Sequence, residues 1–171
     1  MGEKRKRGLR RWCARFLRRL LWRLDNPPPD RSGTGPSTME IVFRKIEEAM
    51  MEQKLYLQRG LTLETLARAA GVNRTYVSRS LAAHKLNYAT YVNGYRLQQA
   101  VQLMQDDPQG ELELEEIAHR SGFCTERRMG VYLKMSYGVP LVVFRRRIKA
   151  FAQAKNFSTA LSASGNANTA T

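Results

Sequence analysis

The chain has 171 residues and a formal net charge of +14, from 29 Lys and Arg against 15 Asp and Glu. This length provides one domain with a hydrophobic core plus tails, and the positive charge favours partners that carry phosphate. The two cysteines, Cys13 and Cys124, are too few for a disulfide framework and predict a reducing, cytoplasmic location. No segment has the roughly 18 consecutive apolar residues of a membrane span, so we expect a soluble protein.

Residues 1–24 form a basic leader that contains ten Lys or Arg residues and a single acidic residue, Glu3. Within it, residues 7–24 place apolar residues and arginines at helical spacing, which predicts a basic amphipathic helix. Arginines interrupt its apolar side too often for a secretory signal peptide. Such a helix can lie on an anionic membrane surface, bind acidic partners or extend a nucleic-acid footprint. The alternative is a disordered basic leader, or a start codon placed too early.

Residues 25–37 are rich in Pro and Gly and are predicted to be a linker. Ser37 and Glu40 have the spacing of a capping box, which predicts a helix that runs to about Gln53. The apolar side of this helix includes Ile41, Val42, Ile46 and Met50. We expect it to pack across the motif that follows as a structural support.

The segment from Thr62 to Leu81 has the pattern of two short helices joined by a turn. The apolar residues of the first helix, at helical spacing, are Leu63, Leu66, Ala67 and Ala70. Gly71 stands where a positive φ costs least, and Asn73 can cap the second helix. That helix carries Val77 and Leu81 inward, while its outer face carries Arg74, Thr75, Ser78 and Arg79. The pattern indicates a helix-turn-helix, whose second helix enters the DNA major groove.

A short turn, residues 82–87, precedes a long helix predicted from Tyr88 to about Asp106. Asn87 is its expected cap, and Pro108 and Gly110 follow its end. At ~1.5 Å per residue the helix spans roughly 28 Å, close to the ~34 Å between equivalent major-groove faces one DNA turn apart. A helix of this length can hold two DNA readers on one side of the duplex, although a plain bundle helix has the same length.

The first motif recurs after the long helix. Leu114, Ile117, Ala118, Ser121 and Gly122 correspond to Leu63, Leu66, Ala67, Ala70 and Gly71. The register then slips by one residue, so that Met129 and Leu133 correspond to Val77 and Leu81. Two copies indicate a tandem pair of helix-turn-helix units; a helical bundle with accidental similarity is the alternative.

Pro140 opens the last predicted helix, which contains apolar residues beside the basic run of Arg145, Arg146 and Arg147. Residues 152–171 are small and polar and are predicted to be a disordered tail. The folded domain is therefore expected over residues 38–151, and its class is all-α.

Five short motifs stand in a specific order. They are L-A-x-x-x-G at Leu66 to Gly71, Y-V-S-R at Tyr76 to Arg79, Y-V-N-x-Y-R-L-x-x-A at Tyr91 to Ala100, I-A-x-x-x-G-F at Ile117 to Phe123, and G-x-x-x-x-x-F-R at Gly138 to Arg145. Together they resemble the DNA-binding domain of AraC-type transcription regulators over about residues 40–149. The resemblance implies about seven helices, two helix-turn-helix units bridged by the long central helix, and two recognition helices in adjacent major grooves.

Carried over by position, the resemblance also implies the residues that contact DNA. In the first recognition helix they are Arg74, Thr75, Ser78 and Arg79. In the second they are Glu126, Arg127 and Val131, with Lys134 near phosphate. Glu126 can accept a hydrogen bond from a cytosine amino group, or it is a solvated acid in the first turn of a helix.

The sequence departs from the family pattern at three places. Arg127, Arg128 and Met129 stand where the family usually has a small hydroxyl residue and then aromatics. The glycine expected near residues 85–86 is missing, and the late Ser-Pro is replaced by Pro140-Leu141. The base preferences of the second reader therefore do not carry over.

The predicted function is sequence-specific DNA binding by a transcription regulator, with double-stranded DNA and RNA polymerase as partners. The alternative is an architectural or membrane-tethered nucleic-acid-binding protein that uses the leader.

No catalytic site, metal or cofactor is expected, and no small-molecule site is evident. Relatives that transfer alkyl groups to cysteine need a four-cysteine zinc site, and this chain has only two cysteines. His84 and His119 are expected to be surface or structural residues. Residues 1–37 are too short for a sensory domain, so regulation is expected from protein level, a partner or residues upstream.

Overall fold

The computed structural model describes residues 37–107, 109–151 and 153, and over this part of the chain the fold is seven α-helices without a strand. The helices are α1 (Thr38–Glu52), α2 (Leu63–Ala69), α3 (Arg74–Ala83), α4 (Tyr88–Asp106), α5 (Leu114–Arg120), α6 (Glu126–Tyr137) and α7 (residues 141–151). A 3-10 turn, Leu55–Leu57, lies between α1 and α2. The predicted all-α class is confirmed. The leader and nearly all of the linker and tail lie outside the described residues.

Polar side chains fix where the helices begin. The Ser37 Oγ accepts a hydrogen bond from the N–H of Glu40 at 3.3 Å, which starts α1 where the sequence predicts. The Asn87 Oδ1 accepts from the N–H of Thr90 at 2.8 Å, which starts α4. Each such bond satisfies one of the four N–H groups that a helix start leaves without a partner. The predicted bounds of α4 are confirmed, whereas α3 continues to Ala83 and shortens the turn predicted after Leu81.

The first helix-turn-helix, α2 and α3, belongs to a unit with its own hydrophobic core, which also includes residues of α1, the 3-10 turn and the first half of α4. As predicted, α1 packs across α2 and α3. The Ser80 hydroxyl on α3 donates to the Met39 carbonyl oxygen at 2.8 Å, which ties the two helices together. The predicted inward position of Ile41 is wrong: its side chain is exposed, and Phe43, which was not among the predicted inward residues, is buried.

The second helix-turn-helix, α5 and α6, packs with α7 and the second half of α4 around a separate core. The fully buried side chains of this core include Met104, Ile117, Phe123, Met129 and Leu133. Helix α4 contributes to both cores: Tyr91, Val92 and Tyr95 pack in the first, and Leu97, Ala100 and Met104 pack in the second. The long helix therefore bridges two units, as predicted.

The turns of both motifs use left-handed backbone. Gly71 has φ of 62° and Gly122 has φ of 84°, which confirms the reason for a glycine at each position. Lys85, after α3, has φ of 59° although it is not a glycine. The residue that replaces the family glycine thus keeps the conformation that a glycine would adopt.

Replacing Lys85 by glycine should stabilise the domain by about 1 kcal/mol, since a side chain in this conformation crowds its own backbone. The Lys85 side chain is exposed, so little packing is lost. Denaturant unfolding of both proteins measures the difference. The matched control is Lys45→Gly, at an exposed position inside α1, where glycine should cost about 1 kcal/mol. Destabilisation by both substitutions would contradict strain at Lys85.

Candidate nucleic-acid interface

The first predicted reader lies on the exposed face of α3. The Asn73 Oδ1 accepts from the N–H of Thr75 at 2.8 Å and so starts this helix directly after the turn. Val77, Ser80 and Leu81 are buried against the first core. The predicted contact residues Arg74, Thr75, Ser78 and Arg79 are all exposed. The structure therefore brings these four side chains together on the solvent side of one short helix.

The second predicted reader lies on α6, where the Thr125 hydroxyl oxygen accepts from the N–H of Arg128 at 3.3 Å. Met129 and Leu133 are fully buried, which confirms the register slip. Of the predicted contact residues, Arg127, Val131 and Lys134 are exposed and Glu126 is half-buried. Glu126 also lies in the first turn of α6, where its negative charge interacts favourably with the helix dipole.

Two residues on these faces were not among the predicted contacts. Tyr76 on α3 is an aromatic residue with 45% of its surface exposed. Arg128 on α6 is also exposed. Tyr76 was visible in the sequence as the first residue of Y-V-S-R, and Arg128 as the neighbour of Arg127. Both therefore add to the surface that the two recognition helices offer.

An open groove of about 820 Å³ separates α6 from the start of α4. Its lining residues are Asn87, Ala89, Thr90, Thr125, Arg127, Arg128, Val131, Tyr132 and Met135. Two guanidinium groups and two threonine hydroxyls provide donors for anionic oxygens. An apolar side chain, Val131, stands beside them. This mixture suits a nucleic acid, which presents both phosphates and base edges.

The basic run in the middle of α7 contains two kinds of arginine. Arg146 and Arg147 are exposed, whereas Arg145 is 7% exposed. The Arg145 guanidinium pairs with the Asp107 carboxylate and donates to the carbonyl oxygens of Met104 and Leu112, both at 3.4 Å. Arg145 is therefore a structural residue that ties α7 to the end of α4.

The pKa of Asp107 reflects this environment. Burial by itself raises the pKa of its carboxyl group. The backbone N–H groups of Leu112 and Glu111 and the guanidinium of Arg145 lower the pKa by more, so that it falls from 3.8 to about 2. Hydrogen bonds to an ionised carboxylate favour the charged form. Asp107 therefore stays ionised and holds the loop that opens the second unit.

The remaining chemical groups lie outside these faces. The His84 ring stacks on Phe43 with 3.9 Å between centroids, and its Nδ1 lies 2.8 Å from the Ser80 carbonyl oxygen. His119 lies 4.0 Å from the Glu115 carboxylate on the surface of α5. Within the described ranges, no three His, Cys, Asp or Glu side chains are arranged to hold a metal ion. Of the helices in the part that the structure describes, none is long and apolar enough to cross a membrane.

Residues 66–147 match a protein family described as a helix-turn-helix domain, which is of the AraC type. Residues 66–147 are thus a helix-turn-helix domain of the AraC type. Such domains bind DNA and serve transcription regulation. The family match begins within α2 and runs through α3, α4, α5 and α6 into α7, which confirms the resemblance seen in the sequence motifs.

The AraC-type domain is similar to the solved C-terminal domain of AraT, a response regulator from Geobacillus stearothermophilus. The two share 28% sequence identity with a TM-score of 0.53, and the similarity covers 67% of this chain and 88% of the AraT chain. None of the curated proteins matches this chain.

The departures from the AraC-type pattern in α6 have different consequences. Met129 is fully buried in the second core, so this change is absorbed by packing. Arg127 and Arg128 are exposed beside the groove, so their side chains alter the face that α6 offers to a ligand.

Proposed function

We propose that the protein is a sequence-specific DNA-binding transcription regulator in which α3 and α6 enter adjacent major grooves of one duplex. The observation that carries this proposal is the placement of two helix-turn-helix units on one continuous helix, α4, each with a polar, exposed recognition helix. In a helix-turn-helix the second helix provides the base contacts. Transcription regulation also makes RNA polymerase an expected partner.

The length of α4 supports simultaneous binding by both readers. Its 19 residues span roughly 28 Å at ~1.5 Å per residue, near the ~34 Å repeat of the major groove. One half of α4 packs in the core of the first unit and the other half packs in the core of the second, so the two readers lie towards opposite ends of one continuous helix. One monomer can therefore meet two successive major-groove segments without a partner subunit.

The exposed side chains suggest a division of labour. Arg79 on α3 and Arg127 on α6 can each donate two hydrogen bonds to the O6 and N7 atoms of a guanine. Val131, with 51% of its surface exposed, suits an apolar contact with a thymine methyl group. Lys134, one turn after Val131 and two turns after Arg127 on α6, is proposed to meet a backbone phosphate, which positions the helix without reading sequence.

A footprint on a selected DNA site tests the proposal. In vitro selection from random duplexes should enrich a motif with two conserved segments about one helical turn apart. One monomer should then protect two consecutive major-groove segments from methylation, since both readers lie in one chain. Protection of a single segment would contradict the two-reader proposal and would show that α6 does not read bases.

The same selection separates the proposal from the alternative of an architectural or membrane-tethered protein. Binding through the leader alone would be uniform among sequences and strongly salt-sensitive, because phosphate contacts release counterions but carry no sequence information. No enriched motif would then emerge. The division into leader (residues 1–24), linker (25–37), domain (38–151) and tail (152–171) remains part of the proposal.

A further inference from the structure

A buried arginine lies where the two helix-turn-helix units meet. Arg96, in the middle of α4, is 8% exposed. Its Nε donates to the Tyr56 carbonyl oxygen and its Nη2 to the Gln58 carbonyl oxygen, both at 2.7 Å. Its Nη1 lies 3.4 Å from the Asn93 Oδ1. The guanidinium thus fastens the 3-10 turn of the first unit to the midpoint of the bridging helix.

The turn of the second unit closes on the same place from the other side. A Cβ atom built on Gly122 would lie 2.4 Å from the Tyr56 carbonyl oxygen, 2.9 Å from the Leu57 Cα and 3.2 Å from the Arg96 Nε. Two of these three atoms are backbone of the 3-10 turn, which cannot move aside as a flexible side chain can. Glycine is therefore required here for close approach as well as for its φ of 84°.

This joint differs from the rest of the packing because it connects two separate cores. The first core draws on α4 up to Tyr95, and the second begins at Leu97; Arg96 is the residue between them. Burial lowers the pKa of the Arg96 guanidinium. Hydrogen bonds from a charged donor are stronger than neutral ones. Losing them would take the guanidinium donor from the buried Tyr56 carbonyl oxygen, whereas the Gln58 carbonyl oxygen also accepts from the Leu61 N–H at 3.2 Å.

We propose that Arg96 and Gly122 are positioning residues that fix the angle between the two DNA readers, so that the protein accepts one spacing between its two half-sites. The inference rests on the proposed two-reader function and deepens it. Without this joint, α4 would be the main connection between the two units, which could then rotate by small bends of that helix. The joint removes this freedom before DNA binds, which lowers the cost of engaging the second half-site.

Affinity for a series of DNA duplexes tests the inference. Each duplex carries the selected site with one or two base pairs inserted or deleted between its half-sites, and each base pair rotates one half-site by about 35°. For the wild-type full chain, a two-base-pair change should lower affinity about tenfold or more, because the second reader no longer meets its segment. A flat wild-type profile would refute the proposed function itself, before any variant is compared.

The first variant pair uses two glycines with similar backbone. Gly122→Ala introduces the collision with the 3-10 turn, whereas Gly71→Ala, with φ of +62°, meets nothing within 4 Å. Both substitutions place a side chain at a positive φ, which is unfavourable at either position, so only the collision distinguishes the two variants. Gly122→Ala should flatten the spacing profile to within about threefold, since the readers can no longer hold one fixed angle. Gly71→Ala should keep the wild-type shape of the profile.

The second variant pair uses two buried arginines. Arg96→Lys keeps the positive charge but loses the planar fork that reaches two carbonyl groups at once. Arg145→Lys makes the same change inside the second unit, away from the joint. Arg96→Lys should flatten the spacing profile, and Arg145→Lys should lower affinity equally for every spacing.

Circular dichroism identifies which variants fold. A folded Gly122→Ala or Arg96→Lys variant, compared with its control, is sufficient to decide the outcome. Retention of the wild-type spacing profile by a folded Gly122→Ala or Arg96→Lys variant would overturn the inference. Unfolding of both would overturn it as well, because the contact would then belong to one indivisible core and not to a joint between two units. A flat profile in these variants alone, with steep profiles in both controls, is the supporting result.

Discussion

Replacing Arg79 by alanine should weaken binding to the selected DNA site about 5- to 150-fold, the equivalent of about 1–3 kcal/mol. Arg79 is exposed on α3, two residues after Val77 and two before Leu81, which are both buried. Its side chain therefore points away from the core, on the face that a recognition helix turns towards bases. Affinity for random DNA should fall much less, because a base contact contributes only where the correct base is present.

Salt titrations on the selected site and on random DNA measure this difference. The matched control is the double variant Arg146→Ala/Arg147→Ala, which removes two exposed arginines of α7, outside both recognition helices. It should lower both affinities by a similar factor and reduce the salt slope by up to about one unit per lost phosphate contact. If Arg79→Ala behaves in the same way as this control, Arg79 is a phosphate anchor and the assignment of the first reader is wrong.

Much of the fold could be predicted from the sequence because its signals are local. The bounds of α4 follow from the Asn87 cap and from the residues after Asp106, which cannot continue a helix. The two motifs differ by a one-residue shift in register after the second glycine. The helical period of the apolar residues predicted this shift, which places Met129 and Leu133 in the second core. Caps and periodicity involve residues within one or two turns of each other, so they do not depend on the rest of the structure.

The parts that the sequence did not predict depend on contacts between distant segments. Arg96 has the same side chain as the exposed Arg146, and only tertiary packing shows that Arg96 is buried. The close approach that requires glycine at position 122 could not be predicted either, since the backbone atoms that exclude a Cβ belong to Tyr56 and Leu57 of the first unit. Ile41 was misplaced because Phe43 can fill the same core from a neighbouring position on α1.

The candidate site was predicted in part for the same reason. Helical periodicity separates outward from inward residues, so the exposure of Arg74, Thr75, Ser78 and Arg79 follows from the sequence. The groove between α6 and the start of α4 does not, because it depends on how two helices lie relative to each other. Which side chains touch which bases depends in addition on a DNA sequence that the protein sequence does not contain.

The buried pair of Asp107 and Arg145 should have the largest effect on stability. Asp107→Asn should lower the free energy of unfolding at pH 7 by about 3–5 kcal/mol, because it leaves a buried guanidinium without its counter-charge. The side chains of Asp107 and Arg145 are only 11% and 9% exposed, so water screens the pair little. The carboxylate also accepts from the N–H groups of Gly110, Glu111 and Leu112, each at 2.9 Å.

The pH dependence of the loss distinguishes a charge effect from a packing effect. The pKa of Asp107 is lowered from 3.8 to about 2 in the folded protein, so its stabilisation is complete above the unfolded pKa and is lost as the pH falls through the folded one. Between pH 5 and pH 2, wild type should therefore lose about 2 kcal/mol that Asp107→Asn does not lose. Urea unfolding at several pH values measures both curves, with Asp106→Asn, at an exposed neighbouring position, as the control that should stay within about 0.5 kcal/mol of wild type. Curves for wild type and Asp107→Asn that run parallel down to pH 2 would show that the ionised carboxylate does not hold the second unit together.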